Sequence, residues 1–200
     1  EKKSRMLIKK DDQETPDSIY RQAGIYAEFG KIICISCGYF ISEKKFRVKS
    51  FYGDNEKRIL TEFAAMLNKF FTKSDKQLCA HNGKEFDFPY LCRRMLVNGI
   101  EIPEALDLRD KKPWEINHID TMELWKFGDY KNFTSLELLA HVFNIPTPKD
   151  DIDGSQVAKV FYEDKDLPRI VEYCQKDVLT TVQLMMRYKG EPLIKDENVM

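Results

Sequence analysis

The sequence predicts an α/β domain with a mixed β-sheet flanked by helices. Three observations carry that expectation. Two adjacent apolar runs, 31–41 and 45–52, have strand character. Shorter apolar stretches at 77–80 and 116–119 alternate with helical segments. Finally, Ile59, Leu60, Phe63, Met66, Leu67 and Phe70 recur at helical spacing. A hairpin followed by strands alternating with helices is the order of an α/β domain with a mixed sheet. Two hundred residues, 42% apolar and 32% charged, suffice for one domain with a sizeable core.

The elements follow in order. Residues 1–14 are polar apart from Met6, Leu7 and Ile8. Thr15, Pro16 and Asp17 start a helix, with Thr15 as N-cap and Pro16 in the first turn, running to about Gly24. The runs 31–41 and 45–52 form a β-hairpin turned at Ser42 and Glu43. Asp54 is placed to cap the helix over 55–71. The strand at 77–80 ends at His81-Asn82-Gly83, and a helix over 87–97 closes at Asn98-Gly99, a C-terminal signal. The strand at 116–119 ends at Asp120. An amphipathic helix over 135–143, a loop at Pro146 and Pro148, a short helix over 155–162 and a long helix over 167–188 follow. A polar tail, 190–200, ends the chain.

Composition excludes several classes. No apolar run is long enough for a membrane span or a signal-peptide core. The net charge is −1, so a polyanionic partner needs local basic patches or bound cations. Lys44, Lys45, Arg47 and Lys49 form one such patch, which a solvated strand face explains equally well. Five cysteines without a secretion signal fit free thiols in a reducing cytoplasm. Cys34 and Cys37 spell CxxC, but within a strand they point to opposite faces, so packing is the better reading. His81, His118 and His141 lack zinc-ligand spacing. Residues 149–154 lack the spaced ligands and terminal Glu of a calcium loop.

Two stretches carry candidate chemistry. In LCAHNGKEFDFPYLCRR (78–94) a strand runs into His81-Asn82, and Phe86-Asp87 opens a helix. A carboxylate suits a helix start electrostatically, and a plain capping role explains Asp87 taken alone. In EYCQKD (172–177) Tyr173 and Asp177 stand four apart and share one helix face. Asp120 ends a strand and is placed either to support structure or to lie near the site. Trp114 and Trp125 read as core or interface.

Together the stretches resemble the DEDDy exonucleases, most closely those akin to the proofreading domain of family B DNA polymerases. Asn82 and Phe86-Asp87 match the second motif, and Tyr173 with Asp177 match the third. Pro89-Tyr90-Leu91 and Arg93-Arg94 follow in the expected place, and the two aspartates are ninety residues apart. The resemblance covers residues 28–189 and implies a ribonuclease H-like fold. It implies a 3′-5′ exonuclease using two Mg²⁺ or Mn²⁺ ions held by Asp87 and Asp177. Tyr173 would orient the attacking water; an unperturbed phenol titrates near ~10, too high for a strong base. Asn82 would contact the terminal nucleotides, and Phe86 either stacks there or fills core. The implied partner is nucleic acid with a free 3′ end, single-stranded DNA favoured over RNA, in the cytoplasm; no membrane is implied, and nothing points to a protein partner.

One motif departs from the family. The first, Asp-x-Glu at the end of a strand, has a literal match in Asp12-Gln13-Glu14. Lys9, Lys10 and Asp11 precede it where a buried strand needs apolar residues, and Thr15-Pro16 starts a helix directly after. The expectation is therefore that the true motif lies upstream of Glu1, residues 1–27 being a helical insertion or N-terminal segment. A catalytically inactive nucleic-acid-binding module is the alternative if the motif is truly absent. A structural α/β domain with coincidental motifs is the third reading.

Overall fold

The computed structural model describes residues 23–72, 76–129, 131–146 and 152–200. The expected helix start at Thr15, the Asp12-Gln13-Glu14 triplet, Pro148 and residues 149–151 lie outside these.

The apolar runs form the hairpin. β1 (Cys34–Phe40) pairs antiparallel with β2 (Phe46–Tyr52), setting Cys34 opposite Tyr52 and Phe40 opposite Phe46. Arg47 and Lys49 are exposed and alternate with Phe46, Val48 and Ser50, so part of the basic patch is the outer side of a strand. α1 (Glu56–Phe70) lays Ile59, Leu60, Phe63, Ala64 and Leu67 into the core, with the Phe63 ring edge-on to Phe51 at 5.8 Å. Its N-cap is Asn55, whose side chain accepts the Arg58 amide at 3.0 Å. Asp54, the cap expected from sequence, lies one residue too early to reach that amide.

β3 (Cys79–Ala80) and β4 (Ile119–Asp120) run parallel, with Ala80 opposite Asp120. Between them lies α2 (Asp87–Val97), the expected helix, followed by Gly99 at φ +67. α3 (Thr121–Lys126) follows β4 directly and was not expected. α4 (Leu136–Val142) is capped by Ser135. α5 (Val157–Lys159) continues as a π turn over Val160–Asp164, two residues beyond the expected end. α6 (Leu167–Tyr188) spans the expected helix, with Asp166 capping the Arg169 amide.

Among the described residues the sheet is two separate pairs, one antiparallel and one parallel, instead of a single mixed sheet. A continuous sheet needs a strand hydrogen-bonded to both β1 and β3, and no described residue supplies one. α6 spans both pairs, packing on β1, β2 and β3 as well as α3 and α4. Gly38 permits that approach: a Cβ there would lie 2.2 Å from the Phe46 ring and 2.9 Å from Val178 Cγ1. Gln175 adds a polar tie, donating from Nε2 to Ser50 Oγ at 3.0 Å.

A buried ion pair joins α1 to α2. Arg94 donates from Nε and Nη2 to the Glu56 carboxylate at 2.8 and 2.6 Å, and from Nη1 to the Ala27 carbonyl. The Ile32 amide and Asn98 Nδ2 also donate to Glu56. Trp125, Phe143 and Tyr188 pack together against a second core of Leu139 and Leu184, whereas Trp114 is largely exposed beneath the Lys112 ammonium and is no part of the core. The tail is held in place: Gln183 bonds both the amide and carbonyl of Ile194, and Met200 bonds the backbone of Phe46 and Val48. No helix among the described residues is long and apolar enough to cross a membrane.

Candidate active site

The site begins where β3 runs out. Asn82 takes a left-handed backbone, φ +60, which Asn tolerates better than most residues. Gly83 follows, where a Cβ would lie 2.3 Å from Ala80 Cβ, so a glycine is required. Asp120 fixes this turn from the end of β4. Its Oδ1 accepts the Asn82 amide at 2.9 Å and the Met122 amide at 3.0 Å, and its Oδ2 accepts the Lys84 amide at 3.1 Å. One buried carboxylate thus holds both the Asn82 turn and the N-terminus of α3. His81 clamps the other side, with Nε2 2.9 Å from the Thr134 carbonyl and Nδ1 2.9 Å from Thr121 Oγ1. Burial pushes its pKa down, against the Thr134 carbonyl and the Asp120 charge. A neutral ring fits these partners, donating from Nε2 and accepting at Nδ1.

Asp87 is the first residue of α2; Phe86 occupies the N-cap position without a side-chain cap. Asp87 is exposed on one side, and protein crowds its carboxyl on the others. Burial raises its pKa, its own amide opposes this, and the Asp120 charge adds to the rise. No cation pairs with it among the described residues. Asn82 Oδ1 is buried and without a hydrogen-bond partner among the described residues. Phe86 is 45% exposed, its ring 5.6 Å from that of Tyr90, so it does not fill the core.

α6 brings the other motif. Tyr173 packs against the cluster of Ile152, Val160 and Ile170, and Asp177 follows one turn later. Cys174 lies between them in sequence. Its thiol is pushed up by a hydrogen bond with Cys34, by burial, and by the charges of Cys34, Asp177 and Asp87. Asp177 lies on α6, whereas Asp87 opens α2.

The donor set that the motifs supply, the carboxylates of Asp87 and Asp177, is of the oxygen type that a hard divalent cation takes. It forms only part of such a site. Among the described residues no group of three or more His, Cys, Asp or Glu side chains is arranged to hold a metal ion. The candidate calcium loop is a local turn where it is described, with Asp153 Oδ1 accepting the Ser155 amide at 2.7 Å. His118 is a structural residue, placed 2.6 Å from the Ala105 carbonyl through Nε2 and accepting the Leu78 amide at Nδ1.

Sequence reasoning undervalued Asp120 and passed over His81 and Thr121 as parts of the site framework. A signal existed. Asp120 followed three residues later by Glu123 is a helix-start pattern, and it predicts the α3 cap.

Comparison with known proteins bears on the family. The family described as a predicted 3′-5′ exonuclease related to the exonuclease domain of PolB matches residues 25–192. A DNA polymerase of Pyrococcus glycovorans is 22% identical over 162 residues, covering 70% of this chain and 20% of the relative. DNA polymerase 1 of Pyrococcus abyssi is 23% identical over 125 residues, covering 56% of this chain and 16% of its own. The chain thus spans a fifth or less of these curated relatives. By the extent of the family match, the chain belongs to the predicted 3′-5′ exonucleases related to the exonuclease domain of PolB.

Proposed function

We propose that the chain is a metal-dependent 3′-5′ exonuclease of the DEDDy type on a ribonuclease H-like fold. It hydrolyses the last phosphodiester bond of a nucleic acid and releases nucleoside 5′-monophosphates. Single-stranded DNA is favoured over RNA, in keeping with relatives named as DNA polymerases. The observation that carries this reading is the family match over residues 25–192, a span that holds Asp87 at the start of α2 and Tyr173 one turn before Asp177 on α6.

Asp87 and Asp177 would hold Mg²⁺ or Mn²⁺; two such ions supply an activated water and charge stabilisation at the phosphate. Asp177 and Asp87 would provide the negative charge that attracts cations and, through them, a polyanion to a chain of net charge −1. The Tyr173 hydroxyl orients the attacking water. Asn82 would contact the terminal nucleotide, and Asp120 keeps its turn in register by accepting the Asn82 amide. Phe86 presents a half-exposed ring to the last bases. The remaining ligands are expected from an Asp-x-Glu strand pairing with β1 and β3, whose second edges are unpaired among the described residues.

The test is an end-labelled single-stranded oligonucleotide incubated with Mg²⁺ or Mn²⁺ and either the full chain or Asp177→Ala. Stepwise shortening from the 3′ end, lost by more than about a hundredfold in the variant, is expected, since even outer-shell changes at metal sites cost 10–100-fold. Equal degradation by both proteins refutes the proposal. Binding without degradation by either favours the inactive binding module.

A further inference from the structure

The hairpin face beneath α6 is built from small residues. Cys34, Ser36 and Gly38 alternate along β1, and Ser50 and Val48 of β2 stand opposite Ser36 and Gly38. Side chains two apart share a strand face, and the close approach of Gly38 to Val178 marks this face as the one that meets the helix.

A chain of hydrogen bonds crosses that interface. Gln175 donates from Nε2 to Ser50 Oγ at 3.0 Å, and the Ser50 and Ser36 hydroxyls are 2.8 Å apart. Ser36 Oγ lies 3.7 Å from Cys34 Sγ. An amide nitrogen only donates, so the direction that leaves no hydroxyl proton idle runs from Gln175 through Ser50 and Ser36 to the Cys34 sulfur. Cys34 in turn hydrogen-bonds Cys174, and both thiols pack against the cluster of Ile152, Val160 and Ile170. The chain thus leaves α6 at Gln175 and returns to it at Cys174.

Docking alone does not call for such a chain, because α6 already buries Ile170, Val171 and Leu184. Apolar packing is non-directional and tolerates a small roll, whereas a hydrogen bond weakens steeply off line. Successive helix residues point about 100° apart, so two neighbouring anchors set the roll of the helix at that level. Tyr173 and Asp177 stand two residues to either side of Gln175. Any roll there moves both.

We infer that Gln175, Ser50 and Ser36 are positioning residues for the metal-binding turn of α6, fixing the angle at which it presents Tyr173 and Asp177. This rests on the exonuclease reading and deepens it with residues outside the motifs.

The test measures Mn²⁺ binding by the full chain, from the electron paramagnetic resonance signal of the free ion, beside steady-state cleavage of an end-labelled oligonucleotide. Gln175→Met keeps the side chain's length without its donor, while Ser50→Ala and Ser36→Ala remove the next links. Each is expected to weaken Mn²⁺ binding and lower kcat about tenfold, the low end for changes outside the ligand shell. KM for DNA stays within about twofold, since no nucleotide contact is lost. Gln175→Met combined with Ser50→Ala loses no more than either alone, because both break one chain. Ser50→Thr keeps the hydroxyl and retains both functions. Gln183→Met, about 12 Å further along α6, is the control. It strands the Ile194 amide and carbonyl and lowers the melting temperature at least as far, yet leaves Mn²⁺ affinity and kcat unchanged. Unaltered Mn²⁺ affinity in Gln175→Met and Ser50→Ala overturns the inference, as does an equal loss in Gln183→Met or Ser50→Thr. A parent that binds Mn²⁺ with this dependence but never cleaves refutes the exonuclease reading alone. A parent that binds no Mn²⁺ overturns both.

Discussion

Asp87 and Asp120 are both aspartates near one turn, and their side chains do opposite things for stability. Burial, and then the Asp120 charge, raise the Asp87 pKa above its ordinary 3.8, so the folded state holds that proton more tightly than the unfolded chain. The stability this contributes is present below pH 3.8 and is lost as the pH rises through the raised value. Without metal at neutral pH, Asp87→Asn should therefore melt no lower than the parent, while its exonuclease activity disappears. The comparison is thermal melting in chelator at pH 3.5 and at pH 7, and the variant should gain relative to the parent only at the higher pH. Asp120 is the reverse case. It accepts amides from Asn82, Lys84 and Met122, which Asp120→Ala would leave buried and unpaired. A loss on the order of 3 kcal/mol is expected by denaturant unfolding, at about 1–3 kcal/mol per stranded group with partial relaxation.

At the scale of elements, the Glu56–Arg94 pair welds α1 to α2 and so fixes the helix that starts at Asp87. Burial alone would raise the Glu56 pKa, but Arg94, the Ile32 amide and Asn98 together bring it below its ordinary 4.5. The stability it contributes is present above pH 4.5 and fades as the pH falls through the lowered value. Glu56→Ala leaves the guanidinium buried without its partner and should cost about 3–5 kcal/mol, measurable as a lowered denaturant midpoint. The elements that sequence reveals are those with long periodic signals. α6 has 22 residues and α1 has 15, and both declare an apolar face, while α2 carries a clear stop at Asn98-Gly99. α3, with 6 residues, makes fewer than two turns and cannot show a period. Its only mark is the Asp120 and Glu123 spacing. The motif residues themselves were legible, because Asp87 and Tyr173-x-x-x-Asp177 are local patterns. The lie of α6 was not, because it depends on how that helix packs across the hairpin.

At the scale of the whole molecule, charge constrains binding. With a net charge of −1, the chain as a whole does not attract a polyanion, so binding is expected to rest on local patches and bound cations. Titrations of single-stranded DNA across salt concentrations should give a shallow slope of magnitude about 2, well short of the steep slopes of 6–10-contact proteins. A slope above about 5 would show a basic surface that makes many phosphate contacts. The sheet was the least legible part, since two half-sheets, one antiparallel and one parallel, carry the same apolar signals as one continuous sheet.

The missing side chain at Gly38 has a consequence of its own. Val178, against which a new methyl would press at 2.9 Å, is the residue next to Asp177. Gly38→Ala would press on the Phe46 ring at 2.2 Å and on Val178, working as a lever that shifts the turn of the long helix bearing Asp177 against the hairpin. A strand position that meets no nucleotide should thereby govern turnover, cutting it steeply for a stability loss of only about 1–3 kcal/mol.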